Sequence, residues 1–476
     1  MSARPHLGNG RSAPSSGLGA ISHTWRALHH RNFKLFFCGQ SISVIGTWMT
    51  RLATAWLVYR LTHSALLLGV VSFSGQIVSF LMGPLAAVWV ERMERRRLLV
   101  ITQAAAAVQS LALAALTLAR VITLEEIIAL MAFQGLINAF DMPGRQSFLI
   151  QMVDDRNDLA NAIAINSSMA NGARLIGPAI AGLVIAAFGE GWCYLIDGVS
   201  YFAVIASLLL MRVPALEDRG RSESSLLREL REGWDYVSGL RPIRTILLLL
   251  ALTCLMGWPY SVLLPVFAGK VLHGGAHTLG WLTSASGVGA FSSALALAMR
   301  KSVVGLTRTL QGAVALLGAG LILFGLSHVL WLSLILMVVI GFGLIQAMAV
   351  SNTIIQSLVH DDKRARVMGY YTMAFFGAAP FGSLMAGVLA QHIGAPHTVM
   401  VTGAFCIAGA AWFTSQLPKI RPEMRAIYRE RDLSATRVAA EDARAAARQA
   451  SANIANPNTS NASPHHRLTS IPSERR

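Results

Sequence analysis

The chain turns on residues 133–189, FQGLINAFDMPGRQSFLIQMVDDRNDLANAIAINSSMANGARLIGPAIAGLVIAAFG. Two long apolar segments flank a short charged turn, Asp154-Asp155-Arg156-Asn157-Asp158. Each segment can reach across the hydrocarbon core of a bilayer, which takes roughly 20 residues. Polar side chains nevertheless sit inside them: Asn138, Asp141, Arg145, Asn166, Asn171 and Arg174. Glycines recur at Gly172, Gly177 and Gly182, with Pro178 after the second. The design then returns. Gly135-Leu-Ile-Asn-Ala139 matches Gly343-Leu-Ile-Gln-Ala347, and Ala181-Gly182 with Gly189 matches Ala386-Gly387 with Gly394. Each match lies beside an Asp-rich turn, Asp154-Asp155 or Asp361-Asp362. Gly-Leu-Ile strings are common in apolar helices. Two matches at nearly one offset, 205 to 208 residues, point instead to a duplicated membrane unit.

Composition agrees. Of 476 residues, 54% are hydrophobic and 13% charged, about half the charged share of an ordinary soluble domain. The formal charge of +16 invites a nucleic-acid partner, but its placement argues against one. All Lys and Arg except Arg51, Arg60, Arg120, Arg145, Arg174 and Lys270 lie in the two tails and in alternate loops. That is the asymmetry expected of cytoplasmic segments, with some attraction to anionic membrane lipids. Cys38, Cys193, Cys254 and Cys406 stand singly and form no CxxC pair, so no disulfide framework or zinc site is indicated. His465-His466 is too small a cluster for a metal site, and no cofactor is expected. The first thirty residues contain no apolar core of a signal peptide.

The expected organisation is all-α, with twelve transmembrane helices in two six-helix pseudo-repeats. Residues 1–30 read as a disordered cytoplasmic tail, 31–212 as the first six-helix bundle and 213–242 as a cytoplasmic connector. Residues 243–417 form the second bundle, and 418–476 a basic, largely disordered cytoplasmic tail with an Arg/Ala-rich start that is partly helical. In the connector, Leu226, Leu227, Leu230 and Trp234 make one apolar stripe, as in a short helix packed under the bundle. Such an architecture implies a secondary transporter.

Several stretches resemble the major facilitator superfamily. Ala87-Val-Trp-Val-Glu91-Arg92-Met-Glu-Arg95-Arg96-Arg97 is similar to its signature turn between the second and third spans, with Ala87, Glu91 and Glu94 replacing the usual glycine, aspartate and second glycine. Asn161-Ala-Ile-Ala-Ile-Asn166, Asn171-Gly-Ala-Arg174-Leu-Ile-Gly177-Pro178 and Phe140-Asp-Met-Pro-Gly-Arg145 resemble the branch of the enterobactin exporter and drug–proton antiporters. Gly46-Thr-Trp-Met and Trp56-Leu-Val-Tyr agree, and the resemblance covers residues 30–416. It implies a monomeric, multi-pass protein of the bacterial inner membrane, both termini cytoplasmic. It further implies export of small amphipathic molecules, siderophore-like or drug-like, by alternating access in exchange for protons. An importer or a lysolipid flippase on the same scaffold is the alternative. A channel or an intramembrane enzyme is disfavoured, since no HExxH, CxxC or nucleotide-binding loop is present.

Site residues follow from charge and spacing read beside that resemblance. Asp141 and Arg145, four apart on one helical face, join Glu91, Arg92, Arg95 and Arg96 as a cytoplasmic gate. Arg51 and Arg174 lie at membrane depth, where cations normally face a bundle interior or a wet cavity. Gln40, Gln76, Gln134, Asn138, Asn166 and Gln346 add amides on spans that line the family's cavity. Asp141 and Asp197 are the candidates for proton coupling. Gly172, Gly177, Pro178 and Gly182 match the family's antiporter motif and are its expected pivot; spacing alone is equally consistent with close helix packing. The cation excess favours anionic or neutral amphipathic cargo.

Overall fold

Gly189 and Gly394 close the two matching segments with backbone φ of 90° and 84°, a region that L side chains seldom enter. The duplication seen in sequence is therefore a duplication of backbone. The computed structural model describes residues 26–153, 155, 158–212, 226–300, 305–360 and 363–455. Of Asp154, Asp155, Asp361 and Asp362 only Asp155 lies among them.

The first half is α1 (Arg31–Thr62), α2 (Ala65–Arg92), α3 (Arg95–Leu118), α4 (Leu124–Leu149), α5 (Leu159–Phe188) and α6 (Glu190–Leu210). Helix α7 (Leu226–Gly239) lies in the connector. The second half is α8 (Arg241–Val271), α9 (Ala276–Ala298), α10 (Leu306–Leu326), α11 (Leu330–Leu358), α12 (Arg364–Ile393) and α13 (Ala395–Ala455). Eleven described helices are long and apolar enough to cross a membrane. The twelfth span is α1. Its 32 residues suffice, but its apolar character is diluted by Arg51 and by Gln40, Ser43, Thr50 and Thr54, all four buried inside the bundle. Local chemistry marks the helix starts: Ser64 caps α2, and Thr123 with Glu126 forms a capping box on α4.

Two compact units divide between Leu417 and Pro418. The first contains both halves. In the second, helix continues to Ala455, over the Arg/Ala-rich start for which partial helix was expected. Its alternating Ala, Arg and Glu residues are good helix formers.

The halves meet along two equivalent helix pairs, α2 with α12 and α5 with α9. A Cβ on Gly182 would stand 2.9 Å from the Ala276 carbonyl oxygen, and one on Gly280 2.6 Å from that of Pro178. In the other pair, Gly69 faces Ser383 O at 2.8 Å and Gly387 faces Ala65 O at 2.9 Å. Only glycine permits such approach. All four contacts lie at the end remote from the Arg92–Arg97 turn. Towards that basic end the pairs part: Gly83 of α2, Gly172 of α5 and Gly369 of α12 have no neighbouring atom within 4 Å. The bundle is closed at one end and opens at the basic one.

Candidate functional site

Near the closed end, α1 and α5 come together through Gly177, whose Cβ would stand 2.6 Å from Trp48 Cβ. This sets the Trp48 indole between two cations. Arg51 Cζ lies 5.0 Å from the ring centroid and Arg174 Cζ 5.7 Å. Arg51 keeps accessible surface although it lies at mid-helix within α1. Arg174 also stands 5.9 Å from the Trp258 ring of α8 and against the Tyr260 hydroxyl, which is 2.7 Å from Ser286 Oγ of α9. Neither arginine makes an ion pair among the described residues. Two like charges share one aromatic face; the Asp197 charge reaches Arg51, and no carboxylate acts on Arg174, which leaves the Arg174 side suited to an anion. Aromatic rings adjoin it: Trp258 meets Phe375 at 5.6 Å, and Phe375 meets Phe376 at 4.6 Å.

Helix α8 is irregular where it presents Trp258 and Tyr260. A π-helical turn over Thr253–Gly257 precedes Pro259, and a second occupies Phe267–Val271. Such insertions weaken the hydrogen-bond ladder and recur at functional sites.

Of the four buried carboxyls of the first half, Asp158 and Glu190 stand at helix starts and Asp141 and Asp197 lie within helices. Asp141 of α4 pairs with Arg145 through one oxygen, while the other accepts from Thr102 Oγ1 at 3.0 Å and Gln103 Nε2 at 2.7 Å. Both of its oxygens are engaged. Asp197 of α6, 1% exposed, accepts from Thr50 Oγ1 at 2.8 Å and Ser110 Oγ at 2.9 Å, both through Oδ2. Its Oδ1 has no hydrogen-bond partner and points at the backbone of Gly46.

The family model for transmembrane secretion effectors, within the major facilitator superfamily, matches residues 22–441. The chain belongs to that family. It is 26% identical over 393 residues to the staphyloferrin A transporter of Staphylococcus aureus, covering 82% of this chain and 98% of that one. It is 27% identical over 368 residues to the multidrug efflux pump Tap of Mycolicibacterium fortuitum, covering 75% and 88%. Its fold is similar to the crystal structure of a POT family transporter in complex with a thioalcohol-conjugated peptide. There the TM-score is 0.67, the identity 13%, and the cover 82% of this chain and 96% of that one. The chain is thus a multi-pass membrane transporter of small molecules and not an enzyme.

Within this family member the other expected residues divide. Gln76 of α2 donates to Ser72 Oγ at 2.7 Å and to Ser383 Oγ of α12 at 3.3 Å, so it bridges the halves. Gln134 donates to Asn138 at 3.2 Å and keeps a buried oxygen without a partner. Asn166 is half-buried. Gln40 and Gln346 differ from the expectation, being only 2% and 5% exposed. Gln346 accepts from Ser293 Oγ at 2.7 Å across α9 and α11, which is a helix-packing contact rather than a cavity contact. Of the expected gate, Arg96 turns to the Leu209 carbonyl at 2.6 Å and Arg92 is exposed. Arg95 is half-buried. The Glu91 side chain lies outside the described residues. Among the pivot residues Gly177 and Gly182 make close contacts and Gly172 makes none. In the connector, α7 packs on α12 through the Glu232–Arg366 pair at 2.7 Å and the Trp234–Tyr370 rings at 6.0 Å; the Leu226, Leu227 and Leu230 side chains lie outside the described residues.

Sequence reasoning missed Trp48, Trp258 and Tyr260. A signal existed, since Trp258 follows Trp48 by 210 residues, close to the repeat offset. No group of three or more metal-ligating side chains occurs among the described residues.

Proposed function

We propose that this transporter exports small amphipathic molecules, anionic or neutral, by alternating access coupled to proton entry. The observation that carries the reading is the Arg51–Trp48–Arg174 cluster, two cations on one indole without an ion-pair partner among the described residues. The aromatic rings beside it suit the apolar part of such a cargo. Efflux and siderophore transport in the relatives support the class. With the basic end cytoplasmic, the present state opens towards the cell interior and is ready to load cargo from it. A monoanion leaving a negatively charged interior gains about 2.3 kcal/mol per 100 mV, which favours export.

Asp141 with Arg145 forms the centre of the cytoplasmic gate, which closes when the opposite end opens. Asp197 is the better placed proton carrier, because its Oδ1 is free of hydrogen bonds whereas both oxygens of Asp141 are engaged. The test is transport by reconstituted protein under an imposed pH gradient, using matched anionic, neutral and cationic amphipaths. Anion or neutral transport that rises with the gradient and moves protons is the expected result. Equal transport with and without the gradient, with no proton movement, overturns coupling. A preference for lipophilic cations that survives Arg174→Ala overturns the cargo class.

A further inference from the structure

Arg174 belongs to the first half, yet most of what its side chain touches belongs to the second. Its guanidinium stands between Trp48 of α1 and Trp258 of α8, at 5.7 and 5.9 Å, and lies against Tyr260, which is bonded in turn to Ser286 of α9. Its backbone is a contact point as well. A Cβ on Gly287 of α9 would stand 3.1 Å from the Arg174 carbonyl oxygen. Gly172, two residues nearer the basic end and on the opposite side of α5, has open space. Arg174 therefore sits in the close contact of α5 with α9, with its side chain reaching to α8.

We propose that Arg174 is the tie that holds the closed end shut, and that an anion in the cavity loosens it by taking the guanidinium from Trp258 and Tyr260. This rests on the anionic cargo read above. Contacts to aromatic faces hold a desolvated cation modestly. A carboxylate or phosphate offers it bidentate, charge-assisted hydrogen bonds, which are stronger. The ligand thus interacts differently with the tied and released states, which is the requirement for shifting their balance. Release is eased on the other side, since Trp258 and Tyr260 sit on the irregular part of α8. A neutral isostere occupies the cavity without freeing Arg174, so charge is read at the junction of the halves. Arg174 acts in this as a positioning residue.

The closed end supplies its own reporter. Ser64 Oγ and Gln391 Oε1 face each other across the halves at 3.4 Å. A Ser64→Cys, Gln391→Cys pair in a chain with its native cysteines replaced cross-links at a rate set by the closed population, with no ligand present. Arg174→Lys, which keeps the charge but lacks the planar face, and Trp258→Leu are each expected to slow cross-linking by about tenfold. Benzoate is expected to slow the reference pair, benzamide to leave it unchanged, and neither to affect Arg174→Lys further. If Arg174→Lys and Trp258→Leu cross-link at the reference rate, the tie is overturned, even where calorimetry shows benzoate bound and the cargo reading stands. If the variants slow but bound benzoate leaves the reference unchanged, release by the anion is overturned. If benzoate does not bind and the variants slow, the anionic cargo reading fails while the tie survives.

Discussion

Asp141 and Asp197 are both carboxyls inside the first half, and their neighbours predict opposite outcomes of neutralisation. Asp141→Asn leaves Arg145 without its counter-charge. Breaking a fully buried pair costs about 3–5 kcal/mol; Arg145 is 28% exposed, so about 2 kcal/mol is expected. Thermal unfolding in detergent should register that loss, and uptake into vesicles should fall by about tenfold with membrane insertion intact. Wild-type uptake would mean the charge is merely tolerated. Asp197→Asn retains an oxygen for Thr50 and Ser110 and should change stability by about 1 kcal/mol or less. Proton movement accompanying substrate, followed with a pH-sensitive dye, should disappear; if it persists, Asp197 does not carry the proton. The arginines and carboxyls were legible in the sequence because charge at membrane depth is conspicuous. Their partners Thr50, Ser110, Trp48 and Trp258 were not, since hydroxyls and aromatic rings are ordinary in apolar helices and acquire meaning only from what faces them.

At the scale of helices, the repeat was the most informative feature. Period and length located the spans, and the matched Gly189 and Gly394 marked equivalent breaks. What the pattern could not provide was which glycine touches which helix. Gly172, Gly177 and Gly182 look alike in sequence, yet only the latter two meet a neighbour closely. Gly172→Ala is therefore expected to stabilise α5 by about 0.8–1.0 kcal/mol and to leave transport within about twofold. Slow transport by that variant would show that α5 bends there during the cycle. Gly182→Leu should behave oppositely, since its first carbon alone would press on the Ala276 carbonyl at 2.9 Å. Transport should fall by more than about tenfold, measured at equal amounts of inserted protein, and wild-type rates would remove the α5–α9 contact from the mechanism. The pair α2 with α12, built on Gly69 and Gly387, should respond alike to Gly387→Leu.

For the whole molecule the deciding quantity is the uneven spread of its +16 formal charge. A bilayer with anionic lipid and a negative interior retains Lys- and Arg-rich loops on the cytoplasmic side. The Arg92–Arg97 turn, the connector and the start of α12 lie at one end of the bundle, so that end should be cytoplasmic. Two positions test this. Gly239 ends the connector helix with open space around it, and Glu125 is exposed at the start of α4, on the opposite end. With Cys38, the exposed native thiol, replaced by serine, a Glu125→Cys chain should react with an impermeant maleimide in intact cells. A Gly239→Cys chain should react only after permeabilisation. The reverse pattern would invert the molecule, and the open mouth of the present state would then face outward. Inversion would also invert the cycle, because Arg51 and Arg174 would wait for cargo from outside and the same anion site would serve import.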